Sequence, residues 1–230
     1  MKYVPSIFIG QLSRSAGSTV ASHNRNGSYF RTRATPVNPN TGKQATIRQQ
    51  LEDLSEDWKT LSEAQRDAWT ALGVQMIRQD TLGQSYTLTG LQAFTSLNMV
   101  LLQSGASSIT AAPAMPGGFP NFVFGAVTYQ AGGTGFDLAF TPTPIGGAFK
   151  VQIEATGPVS AGINFMPRSE YKRLESTALN GASPLDETAE YEAIYGVPPE
   201  GSKIFYRGRV ANADGFVGGW VSGTLIVTIV

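Results

Sequence analysis

The residues able to do chemistry are few. The one histidine, His23, lies in Ser22-His23-Asn24-Arg25, and no Asp or Glu occurs in the first 51 positions. Its chain neighbours therefore supply neither a triad nor a metal set, and it reads as a surface histidine. Cysteine is absent, which removes thiol nucleophiles, thiolate zinc sites and disulfides. Carboxylates remain. Glu52-Asp53 and Glu56-Asp57 lie opposite an apolar helical stripe and read as a solvated face, because acid–base work needs carboxyls in a cleft with shifted pKa values. Asp186, Glu187, Glu190 and Glu192 fall at the start of a helical pattern, where acids complement the helix dipole. Asn212-Ala-Asp-Gly215 carries part of a calcium-loop pattern without the other ligands, so it reads as a turn. The pairs Gly117-Gly118, Gly132-Gly133 and Gly146-Gly147 lack the lysine or helix of a phosphate-binding loop. A carboxylate-only glycosidase is the enzyme reading left, and nothing in the spacing pairs two acids for it. The expectation is a non-enzymatic chain with no cofactor and no metal.

Charge gives a sharper signal. Seventeen basic and seventeen acidic residues cancel over 230 positions, which excludes a globally basic nucleic-acid binder. The cancellation is uneven. Residues 1–43 hold Lys2, Arg14, Arg25, Arg31, Arg33 and Lys43 with no acid, whereas both 44–120 and 121–230 carry more acids than bases. Six charges over 43 residues are too sparse for a nucleic-acid tail and suit an acidic protein surface better. The arm also holds Ile7-Phe8-Ile9 and Tyr29-Phe30, large side chains that cost roughly 1.5–3 kcal/mol each to leave in water. Ile7, Phe8, Ile9, Arg25, Tyr29, Arg31 and Arg33 are therefore the candidate partner-binding residues.

The elements that must position these groups follow from periodicity. Thr19–Asn24 and residues 29–33 flank Arg25-Asn26-Gly27-Ser28, whose Asn-Gly signals a tight hairpin. Alternation puts Tyr29, Arg31 and Arg33 on one face and Phe30 and Thr32 on the other. An isolated two-stranded hairpin is marginal, so it needs a support. Residues 35–40, Thr-Pro-Val-Asn-Pro-Asn, continue as an extended link. Thr41-x-x-Gln44, Ser62-x-x-Gln65 and Thr89-x-x-Gln92 are three helix-start signals. Their stripes are Ile47, Leu51, Leu54, Trp58, Leu61; then Ala64, Ala68, Trp69, Leu72, Met76; then Leu91, Phe94, Leu97 or Asn98, Leu101. The first two helices are expected to pack as a hairpin. Residues 105–120 are rich in Ala, Ser, Pro and Gly and read as a linker.

From residue 121 the period becomes two, in 136–140, 149–155 and 204–210, with a last strand at 224–230. Ser183-Pro184-Leu185-Asp186 reads as the cap of an inserted helix ended by Gly196. The fold class is α+β: an extended arm with hairpin over 1–43, a helical region over 44–104, a linker over 105–120 and an antiparallel β-sandwich over 121–230, with residues 119–230 expected to fold alone. No run approaches the roughly 18 apolar residues of a membrane helix and Pro5 interrupts the start, so a soluble chain without a leader is expected.

Two resemblances extend this reading. Tyr206-Arg-Gly-Arg-Val-Ala-Asn-Ala-Asp-Gly215, followed by Trp220-Val-Ser222, resembles the last two strands of a fibronectin type III domain; the longer 216–219 connection and the missing early tryptophan depart from that pattern. Over roughly residues 13–100, Asn24-Arg-Asn-Gly-Ser-Tyr29, Arg31-Thr-Arg33, Pro36-Val-Asn-Pro39, Trp58-Lys-Thr-Leu-Ser-Glu-Ala-Gln-Arg-Asp-Ala-Trp69 and Leu88-Thr-Gly-Leu-Gln-Ala-Phe94 are similar to uncharacterised proteins encoded in bacteriophages and prophages, which look like virion structural components. That resemblance implies a setting, the virion, and partners among other virion proteins or further copies of the chain; the sparse charge and the short apolar runs add the expectation of no specific nucleic acid and no membrane. The expected function is capsid decoration through the arm. A tail, neck or fibre-attachment protein is the alternative. A module binding a host glycan, with Tyr171, Tyr195 and Trp220 as platforms, is a third reading, set against plain packing roles for those rings.

Overall fold

The computed structural model describes residues 2–4, 12, 14–34, 40–80, 82–131, 135–176 and 181–229. Ile7, Phe8, Ile9, the link at 35–39 and the pair Gly132-Gly133 lie outside them. The fold is mixed α+β, with four α-helices and several antiparallel sheets among the described residues. No helix there is long and apolar enough to cross a membrane. Two compact units are present: Met1–Ser96 with Thr110–Met115, and Leu97–Ile109 with Pro116–Val230.

The first unit opens with β1 (Arg14–Ala16), β2 (Thr19–Asn24) and β3 (Gly27–Thr32), a three-stranded sheet in chain order. Helices α1 (Gly42–Thr60) and α2 (Glu63–Gln75) follow, then a short hairpin of β4 (Ile77–Gln79) and β5 (Ser85–Thr87), then α3 (Gly90–Gln103), which ends in the second unit. Each capping signal starts its helix. Thr41 Oγ1 accepts from Gln44 N, Ser62 and Gln65 close a reciprocal box, and Thr89 and Gln92 exchange bonds of 2.9 and 3.2 Å. Gly105, at φ +75°, ends α3 in the left-handed region.

The apolar stripes are buried only where another element covers them. Leu54 of α1 and Leu61 at its C-cap are buried, but Ile47 and Leu51 are exposed and Trp58 is half-buried. On α2, Trp69 and Leu72 are buried, as is Met76 at its C-cap, while Ala64 and Ala68 are exposed. The two tryptophans meet through Phe94 of α3, with ring centroids 5.6 and 5.2 Å from it. The β4–β5 hairpin has no periodic signal because its strands are three residues long. Its turn is instead organised by Asp80, whose Oδ1 accepts from the backbone N–H of Leu82 and Gln84 at 2.7 and 3.0 Å.

Residues 105–120 do not act as one free linker. Asn98, fully buried on α3, bonds both the N–H and the C=O of Ile109, while Trp69 Nε1 donates to Thr110 O at 2.9 Å. The composition-based boundary therefore moves: the division falls within α3, and a loop segment returns to the first unit.

The second unit contains β6 (Val123–Ala131), β7 (Gly135–Thr141), β8 (Phe149–Ala155), β9 (Lys172–Ser176), β10 (Leu185–Asp186), α4 (Thr188–Tyr195), β11 (Lys203–Asn212), β12 (Val221–Ile226) and β13 (Thr228–Ile229). Two four-stranded sheets, ordered β10-β7-β6-β13 and β12-β11-β8-β9, bury one core. Phe136, Leu138 and Phe140 enter it from β7, Val151 and Ile153 from β8, and Ile204, Tyr206 and Val210 from β11. Gly208 faces inward too, where a Cβ would stand 2.6 Å from the Phe124 ring. Arg207 and Arg209 consequently point outward.

Two expectations are corrected here. Leu185-Asp186 pairs with Leu138 and Asp137 as a strand, so the inserted helix begins later, at Thr188, whose N–H is held by Asp186 Oδ1 at 2.9 Å. The last strand divides at Val227: β12 pairs antiparallel with β11, and β13 crosses to run parallel to β6, so the sheets are not wholly antiparallel.

Candidate functional site

The arm hairpin is built around a two-residue turn, with Asn24 opposite Gly27 at φ +103°. Ser22 pairs with Tyr29 and Val20 with Arg31, so Tyr29 and Arg31 share a face, and Arg33 follows just beyond β3, its N–H bonded to Ser18 O. Arg25 sits at the opposite, turn end. Arg25, Arg31 and Arg33 are exposed and Tyr29 is half-buried. No carboxylate among the described residues pairs with any of the three arginines. The other face carries Phe30, stacked on Tyr3 at 4.4 Å.

The support that a lone hairpin needs comes from the chain start. Lys2 bridges to Tyr29 through the backbone, and Tyr3 N donates to Ser28 O at 3.0 Å. Lys2 Nζ donates to Asn26 O at 2.7 Å and pairs with the carboxylate of Asp80. That hydrogen-bonded ammonium holds the Asp80 carboxyl below the usual carboxylate range. His23 approaches only Ser28 Oγ, at 3.4 Å.

A second cluster lies on the outer face of the β12-β11-β8-β9 sheet. Register sets Arg207 opposite Glu154 and Arg209 opposite Gln152. The Arg207 guanidinium lies 4.2 Å from the Tyr171 ring and 4.5 Å from that of Trp220, and Arg209 lies 4.4 Å from the Trp220 ring. Arg207 is neutralised by Glu154, with Nε 2.8 Å from Oε2. Arg209 Nε instead donates to Gln152 Oε1 at 3.0 Å, and Arg173 Nη2 donates to the same oxygen at 3.3 Å. Burial pushes the Arg209 pKa down to about 10, with Arg173, Arg168 and Arg207 adding repulsion that Glu154 only partly offsets. Burial likewise lowers Arg173 and, beside it, Lys150, whose ammonium bonds Ser104 Oγ.

Of the three aromatic candidates, Tyr171 and Trp220 thus already stack with guanidinium groups. Tyr195 packs on Tyr191 and donates to Ala155 O at 3.1 Å, beneath Lys172. Most of the acidic candidates are exposed or engaged in hydrogen bonds of their own. Glu52, Asp53 and Glu56 are exposed on α1, Glu192 accepts from Tyr129, and Asn212 Oδ1 accepts the N–H groups of Asp214 and Phe216 to form a turn. Among the described residues no group of three His, Asp or Glu side chains is placed to hold a metal ion. Periodicity did not single out Arg173, Lys150 and Gln152. The alternation of Lys150, Gln152 and Glu154 marks them as outward, but their convergence depends on strand register. No family model matches the chain, and no curated protein or solved structure is significantly similar to it.

Proposed function

We propose that this chain is a non-enzymatic structural component of a bacteriophage particle, an auxiliary capsid protein that docks through its basic amino-terminal hairpin. The observation carrying this reading is the hairpin itself. Exposed Arg25, Arg31 and Arg33 stand without carboxylate partners among the described residues, on a sheet braced by Lys2, the arrangement expected of a surface held ready for an acidic neighbour. The sequence resemblance over residues 13–100 supplies the setting. We further read the second unit as a fibronectin type III-like sandwich. Its support is the strand distribution, with the first, second and fifth strands of the unit in one sheet and the third, fourth, sixth and seventh in the other; the eighth, β13, adds to the first sheet as a parallel edge that departs from that pattern.

Arg31→Glu with Arg33→Glu is expected to lower incorporation into particles lacking the protein by about tenfold or more, since like charges would then oppose an acidic partner. Melting of the purified variant should change little, because both positions are exposed. Wild-type attachment should weaken as salt rises. Undiminished incorporation of the variant would move attachment away from the arm.

A host-glycan reading is favoured by one feature, a cleft of about 390 Å³ beside Tyr171 that includes Asn164, Ser222 and the 77% exposed Phe165. Saturable glycan binding by the full chain would support it.

A further inference from the structure

The geometry points to an oxyanion-binding site on the outer face of the β12-β11-β8-β9 sheet, where Arg173 and Arg209 hold one carboxylate or phosphate group of a second molecule between them. This site is independent of the particle reading and uses none of the arm.

Two adjacent cross-strand pairs on this face differ in charge. At one, Arg207 faces Glu154 and the charge is neutralised. At the next, Arg209 faces Gln152, an amide of nearly the same shape with no charge. Gln152 is fully buried, and its one oxygen accepts from both Arg209 and Arg173. Two guanidinium groups are thereby drawn to a single neutral acceptor, close enough together for one anion to bridge them. Their approach fixes the orientation of the amide and leaves its buried Nε2 without a hydrogen-bond partner among the described residues. Another acceptor is lacking at the point where donors converge.

The surroundings sharpen the imbalance. Lys150, Arg168, Arg173, Arg207 and Arg209 act on this face, and among the side chains that the structure describes, which do not include that of Glu175, Glu154 is the carboxylate that acts against them. Burying a cation without a counter-charge is unfavourable, and a bound anion relieves that cost. The donors are also held in place before any ligand arrives. Arg209 lies on Trp220, and Arg173 Nη1 donates to Gln103 Oε1 at 3.0 Å. Both terminal nitrogens of Arg209 and Nε of Arg173 have no acceptor among the described residues. Arginine forks suit the paired oxygens of a carboxylate or phosphate, so the chemistry is shared by an acidic side chain of a polypeptide and a free anion.

The test uses the full chain and calorimetric titration with two probes, inorganic phosphate and a hexaglutamate peptide, each against chloride at matched ionic strength. Saturable binding of phosphate alone identifies a free anion as the source of the group; binding of the peptide alone identifies a polypeptide-borne carboxylate. Gln152→Glu places a carboxylate inside the site, and it should keep the fold, raise the melting temperature and weaken binding about tenfold or more. Arg173→Gln should weaken binding to a similar extent. A merely structural ladder would gain stability from Gln152→Glu with no ligand to lose. Absence of saturable binding by both probes, or binding unchanged in both variants, would overturn the proposal.

Discussion

Trp69→Ala is expected to destabilise the first unit by about 3–5 kcal/mol, the range for deleting a buried aromatic side chain. Trp69 is fully buried and meets Phe94 edge-on at 5.2 Å. It also ties the returning loop to α2 through its bond to Thr110 O. The alanine variant therefore opens a cavity and strands a carbonyl at once. Trp69→Phe should retain much of the packing and lose only the hydrogen bond, at a smaller cost. Trp58→Ala should fall well below Trp69→Ala, because Trp58 is half-buried on an exposed helix edge. Urea melts followed by tryptophan fluorescence would rank the three. Equal costs at Trp58 and Trp69 would show that the burial described for α1 is wrong.

The second large effect is a loss of stability of the second unit in alkali. Burial raises the Tyr129 phenol well above its usual 10.0, reinforced by its bond to Glu192, and burial beside Tyr195 and Tyr129 raises Tyr191 in the same direction. Tyr195 is pushed up to about 12 by burial and by Glu170. Each folded-state value lies above that of the unfolded chain, so the folded state retains these protons longer. The stabilisation is complete below pH 10 and disappears as pH rises through the raised values. Arg209, with Arg173 and Lys150, works against the trend, since a lowered pKa makes stability rise with pH, while Tyr171 and Tyr206, also raised by burial, add to the other three tyrosines. Melting temperature should fall steeply above about pH 10, with tyrosinate absorbance growing in a late phase that coincides with unfolding. A melting temperature flat across that range would mean the tyrosine cluster is open to water.

How far the sequence reaches can be judged from these same residues. The helix starts at Thr41, Ser62 and Thr89 were legible because a capping signal is local, fixed by a hydroxyl and an amide three residues apart. So were the main strands of 136–140, 149–155 and 204–210, where half-burial imposes a period of two. The β4–β5 hairpin and β10 were not legible, since two or three residues carry no period. The start of α4 was misplaced because Ser183-Pro184 imitates a cap, while the observed start depends on β10 pairing with β7. Loop attachments through Asn98 and Trp69 were hidden for a related reason. They are side-chain-to-backbone hydrogen bonds, two at Asn98 and one at Trp69, between residues 11 and 41 positions apart, which composition cannot report. The arm's charge was fully visible, but its bracing by Lys2 and Asp80, 78 positions apart, was not. The arginine cluster falls between these cases. Its members alternate visibly along each strand, and only the register Arg207–Glu154 and Arg209–Gln152 shows which charge is compensated and which is left over.

The central claim is that this chain belongs to a phage particle and is held there by its arm. The most direct measurement is the protein composition of purified particles separated into heads and tails, for wild type and for the Arg31→Glu, Arg33→Glu variant. The account predicts wild-type chain in the head fraction at many copies, with the variant strongly depleted. Wild-type chain found with tails would favour a tail or neck role, and its absence from both fractions would contradict the claim outright.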